Sequence, residues 1–125
     1  MGHFATVADR DAIERAMTYE ERGLPATLYQ LLTRAAGVHG PRPAVSFQLL
    51  SDPKSKADSL DWSALLRRVT QAANLFRSLG VGETDVVAYL LPNCTETAVT
   101  LLAGATAGIV NPINPLLEPE KIAAI

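Results

Sequence analysis

An α/β fold is predicted: a partial, mainly parallel sheet with flanking helices, preceded by an N-terminal β-hairpin. Three observations predict it. Residues 85–91, Asp85-Val86-Val87-Ala88-Tyr89-Leu90-Leu91, form an unbroken apolar run between turn signals, the pattern of a strand covered on both faces in a parallel sheet. Residues 63–79 carry Leu65, Val69, Ala72, Phe76 and Leu79 at helical spacing, an amphipathic helix. Helical and strand patterns then alternate to the end of the chain, as right-handed crossovers between parallel strands require.

In chain order, residues 9–22 are charge-dense, and Asp11 with Glu14 fits a helix start. Only Ile13 and Met17 offer an apolar stripe, so residues 1–24 are expected to form a solvated arm and residues 25–125 the fold proper. Thr27-Leu28-Tyr29-Gln30 is a capping-box pattern ahead of a helix with Leu28, Leu31, Leu32 and Ala35 on one face. Gly37 is placed to end it. Residues 44–50 and 59–62 read as two strands joined by the polar loop 51–58. Gly80 and Val81 suit a Schellman stop for the following helix. Gly82-Glu83-Thr84 is a turn, and Pro92 ends the apolar strand. Asn93 with Glu96 three on has cap chemistry for a helix reaching Ala107 and ended by Gly108. A short strand over 109–112 follows, then a last helix with Pro119 in its first turn.

Composition narrows the function classes. The 125 residues are 48% hydrophobic and 19% charged, with a net charge of −2, so a packed core is within reach. The weak acidic balance disfavours a nucleic-acid partner, which needs a basic surface, and a membrane-surface role. No apolar stretch approaches the roughly 20 residues of a membrane span. The single cysteine, Cys94, leaves no disulfide framework and suits a reducing compartment. Met1-Gly2-His3-Phe4-Ala5 lacks the charged and apolar regions of a leader, so a cytoplasmic location is expected.

Each motif has a bland reading that outweighs the sharp one. Gly80-Val81-Gly82 opens like a dinucleotide fingerprint but follows a helix and lacks the third glycine. Cys94 at a helix start has no base beside it in sequence, and the histidines, His3 and His39, fall in expected loops or tails. No catalytic, cofactor-binding or metal-ligating residue is assigned. Gly104 and Gly108, one turn apart, read as close packing of a helix on a sheet. The loops after the two parallel strands, 91–93 and 112–115, are the positions placed to rim a pocket, because ligands bind beyond the carboxyl ends of such strands.

Four segments resemble, in order and spacing, the opening of acyl-CoA synthetases and related adenylate-forming enzymes. They are Leu60-Asp61-Trp62-Ser63-Ala64-Leu65-Leu66, Ala72-Ala73-Asn74-Leu75-Phe76 with Leu79-Gly80-Val81-Gly82, residues 85–93 with Glu96, and Thr106-Ala107-Gly108-Ile109-Val110-Asn111-Pro112-Ile113-Asn114-Pro115. Ala64 stands where the family carries an acid, so one capping box has lost its second half, and Thr106 replaces a usual lysine. The resemblance implies a parent that activates a carboxylate with ATP and Mg²⁺ and passes the acyl group from AMP to CoA. The family's Ser/Thr/Gly-rich phosphate loop, its nucleotide motifs and its catalytic lysine match no position here. The chain is therefore expected to be an N-terminal piece of that large domain, inactive alone and binding no cofactor. Its partners would be the rest of the parent and, in isolation, further copies of itself. The alternative is a free-standing α/β interaction module.

Overall fold

The computed structural model describes residues 5–18 and 20–125. The elements are α1 (Val7–Ala16), α2 (Leu28–His39), β1 (Pro43–Phe47), β2 (Asp58–Asp61), α3 (Trp62–Ser78), β3 (Val86–Tyr89), α4 (Thr95–Ala107), β4 (Ile109–Pro112) and α5 (Pro119–Ile122). The α/β class is as expected. The strands form two separate pairs: β1 and β2 antiparallel, β3 and β4 parallel with α4 as the crossover.

Helix α1 begins four residues ahead of Asp11 plus its cap. Thr6 is the N-cap: its hydroxyl accepts from the Asp9 N–H at 3.2 Å, and the Asp9 carboxylate accepts the Thr6 N–H at 3.0 Å. Asp11 and Glu14 lie inside the helix, both facing Arg10. Thr with an acid at the third helical position satisfies two orphan donors at once, which Asp11 cannot do here. None of α1 is buried.

Thr27 caps α2 as expected, accepting from the Gln30 N–H at 3.2 Å. The helix does not stop at Gly37. It runs on to His39 and ends at Gly40, whose φ of 21° and N–H bonded to the Ala36 carbonyl make the cap. An interior glycine costs only about 1 kcal/mol, and the last turn is held by His39 against the Trp62 ring, centroids 6.1 Å apart.

Asp61 caps α3 through the Ala64 N–H at 2.6 Å. Ala64 sits at the third helical position, so the return bond of a capping box is missing. At the other end Gly80 (φ 94°) makes the anticipated Schellman stop. The Val81 N–H reaches the Phe76 carbonyl at 3.1 Å and the Gly80 N–H reaches Arg77 at 3.0 Å. Leu65, Val69 and Ala73 of α3 are buried with Leu32, Leu60, Ala103 and Ala107. The core thus lies where α3 meets α2, β2 and α4.

Helix α4 seats on the parallel pair through glycine. A Cβ at Gly104 would lie 3.0 Å from Val110 Cγ2 and 3.4 Å from Val87 Cβ. A Cβ at Gly108 would lie 2.5 Å from the Asp85 carbonyl and 2.6 Å from that of Gly82.

A further expectation is overturned. Strand β3 is not covered on both faces. Val86 is 55% exposed and Leu90 48%, while Val87 and Tyr89 are half-buried. Only α4 lies on the sheet among the described residues, so alternate side chains on the far side stay open. A pair of substitutions separates the faces. Val87→Asp, beneath Gly104, should cost roughly 2 kcal/mol or more, whereas Val86→Asp should stay within about 0.5 kcal/mol, both read from urea midpoints. Gly108→Ala should cost about 1–3 kcal/mol by overpacking against backbone, and an unchanged midpoint would contradict the close seating.

Candidate functional site

The parallel register brings the two anticipated loops together. Tyr89 pairs with Pro112, and the Ile113 N–H extends the ladder to the Tyr89 carbonyl at 2.9 Å. Both chains then leave the sheet at the same end. Tyr89, Leu91, Asn93 and Thr97 face Pro112, Ile113, Asn114 and Pro115 across an open groove of about 350 Å³. A smaller extension of about 230 Å³ continues over Pro92 toward Leu116. Asn114 is turned inward on its own loop, its side-chain oxygen accepting the Leu116 N–H at 3.0 Å. No acidic or basic side chain lines either part.

The start of α4 forms one wall, and it differs from expectation. The N-cap is Cys94, not Asn93, and Cys94 makes no side-chain cap bond. The local donors go elsewhere. The Thr97 hydroxyl donates to the Pro92 carbonyl, and Cys94 Sγ lies 3.2 Å from Thr97 Oγ1. The Glu96 backbone N–H, with the Cys94 and Thr95 side chains beside it, holds the Glu96 carboxyl below the usual glutamate value against burial and the Asp58 charge. Thr95 is 1% exposed and donates to Asp58, tying the start of β2 to α4. Nothing local in the sequence announces this tie, because its partners are 37 residues apart.

The other singled-out residues do not converge on the groove. His39 stacks on Trp62 at the end of α2, and His3 lies outside the described residues. Gly80 and Gly82 form the α3 stop and a turn in which the Asp85 carboxylate accepts the Gly82 N–H at 2.8 Å. Among the described residues no group of three His, Cys, Asp or Glu side chains could hold a metal ion. No helix among the described residues is long and apolar enough to cross a membrane. The groove is lined by neutral side chains, the Tyr89 phenol among them.

The profile of the family described as "AMP-binding enzyme" matches residues 32–125. The chain belongs to that family. The match takes in α3, the parallel unit and both loops of the groove. The marinolic acid–CoA ligase of Pseudoalteromonas sp. is 33% identical over 98% of this chain. The crotonobetaine/carnitine–CoA ligase of Salmonella arizonae is 33% identical over 78%. Among solved structures, the acetoacetyl-CoA synthetase from Streptomyces lividans superposes with a TM-score of 0.68 at 29% identity, over 77% of this chain and 15% of its own. The chain spans 19% of the length of each of the two ligases. The matched residues include β3, α4 and β4, the elements around the groove.

The Glu96 environment gives a pH test. A carboxyl whose folded pKa is lowered adds stability above its unfolded pKa and loses it as pH falls through the folded value. A carbon-detected NMR titration should find Glu96 titrating below the usual glutamate value, and Cys94→Ala should move it back toward that value. No movement would mean that the thiol does not donate to Glu96.

Proposed function

We propose that these residues form the first part of the large domain of an ATP-dependent acyl-CoA ligase, supplying scaffold and not chemistry. The ligase would activate a carboxylate as an acyl-AMP and pass the acyl group to CoA. The observation that carries this reading is the parallel β3–α4–β4 unit inside the matched residues 32–125, in a chain 33% identical along nearly its whole length to a CoA ligase. ATP and Mg²⁺ would supply the adenylating chemistry. The described residues do not fit them: they offer neither a phosphate-cradling loop nor a carboxylate cluster. The groups that hold nucleotide and metal therefore belong to other parts of the parent.

The open face of the parallel pair supports the parent as partner. Val86, Leu90 and Ile109 are 55%, 48% and 51% exposed, and parallel sheets are stable when both faces are covered. Residues 1–24 serve as an arm outside the fold proper, in keeping with an α1 that buries nothing. A cytoplasmic location fits the single free cysteine, Cys94.

Two measurements test the reading. Pyrophosphate release by the 125-residue chain, with ATP, Mg²⁺ and a panel of fatty and aromatic acids, should not exceed a heat-killed control; acid-dependent release would overturn the scaffold role. The coding sequence 3′ of the Ile125 codon should run into a Ser/Thr/Gly-rich loop ending in lysine. A stop codon there would favour the free-standing module.

A further inference from the structure

A groove of about 410 Å³ runs between α3 and α4. Arg68 stands on its α3 wall and Glu96 on its α4 wall, and Ala72, Leu75 and Val99 supply its apolar part. Both charged residues are exposed, and among the described residues neither forms an ion pair. Leu75 is 55% exposed and Leu79, one turn on, 72%. The groove is lined by α3 and α4 alone, so it is separate from the open face of the strand pair.

Three features say what fits it. The first is symmetry. A twofold interface sets one patch against an identical patch, so the patch must be its own complement. This one carries a positive charge on one wall, a negative charge on the other and an apolar strip. A twofold axis along the groove brings each α3 wall against the partner's α4 wall. Arg68 then meets the partner's Glu96, and the pair is made twice. A partner of a single sign, such as a nucleic acid or a basic peptide, would meet one wall carrying its own sign. The second feature is the zoning of charge. Residues 27–82, which hold α3, carry seven Lys and Arg against three Asp and Glu, whereas residues 83–125, which hold α4, carry one against five. Setting α3 on the partner's α4 therefore matches signs beyond the groove as well. The third is area. The chain exposes 9193 Å², against about 6,500 Å² for a compact monomer of 13.3 kDa. The excess leaves room for the roughly 800 Å² per copy of a standard interface, beside the arm and the open strand face.

We propose that this groove is the interface of a symmetric dimer, in which a second copy of the chain seats α3 of each over α4 of the other. The apolar strip closes on itself and supplies the affinity. Arg68 and Glu96 fix the register, since exposed ion pairs add little stability but juxtaposed like charges are costly. This goes beyond the ligase reading. Association needs neither ATP nor CoA, so its failure and the failure of that reading are separate results.

Sedimentation equilibrium of the 125-residue chain over a dilution series tests it. A monomer–dimer equilibrium is expected, weakened by salt. Arg68→Glu sets like charges against each other at both contacts of the homodimer, and Glu96→Arg does the same. Each should weaken self-association by about tenfold or more. Combining the two substitutions in one chain should restore it. Mixing the two single variants should also give a dimer, because each then supplies the charge that the other has lost. That mixture separates a contact between copies from one within a copy, and its recovery shows that both variants fold. Leu75→Ser should weaken association by about tenfold through the apolar strip. A chain monomeric throughout the series would overturn the proposal. So would a dimer indifferent to Arg68→Glu and Glu96→Arg, or rescue in the combined variant without rescue in the mixture.

Discussion

Helix α4 is gripped from two sides, and the rest of the structure depends on how closely it can be approached. On one side Ala103 and Ala107 are buried in the core that α3 builds with Val69 and Ala73. On the other, Gly104 and Gly108 let the strands come to where a methyl group would stand. A helix with larger residues at these positions would be pushed off one neighbour or the other. Packed interiors tolerate little such change in volume. The small residues are thus not spacers. They allow a single helix to join a three-helix core to a parallel strand pair.

The position of the loop groove follows from that seating. With α4 fixed on Val87 and Val110, β3 and β4 stay in register, and their carboxyl ends leave the sheet side by side. The loops 91–93 and 112–115 then face each other across the start of α4. Thr95, buried and bonded to Asp58, pins that start to the hairpin. The frame thus carries at its open end two proline-containing loops, with Pro92 in one and Pro112 and Pro115 in the other.

Much of this was legible in the residues. Gly80 followed by Val81 after an apolar helix announces a Schellman stop, and the backbone bonds are those of one. Ala64 marks a capping box without its second half, but Asp61 reads as a strand residue and is in fact the N-cap. Gly104 and Gly108 announce close packing. The meeting of the two loops follows from parallel pairing alone. The failures share a cause: local patterns do not know what lies across space. The apolar run of β3 shows what the strand is suited to face, and here only one side meets a helix. Gly37 had the chemistry of a stop, but the Trp62 ring holds the helix for another turn to Gly40. Asn93 had the chemistry of a cap, but the helix begins at Thr95 with Cys94 as its N-cap.

Native-state hydrogen exchange tests the central claim, that α4 binds core and strands into one unit. The Ile109 N–H, bonded to the Asp85 carbonyl, and the Ile113 N–H, bonded to Tyr89, report on the parallel pair. Interior amides of α3 and α4 report on the core. The account predicts that these sets share one opening free energy and one urea dependence, while the amides of α1 exchange freely. Protected α3 and α4 amides beside Ile109 and Ile113 amides exchanging at open-chain rates would show that α4 belongs to the core alone, and would contradict it.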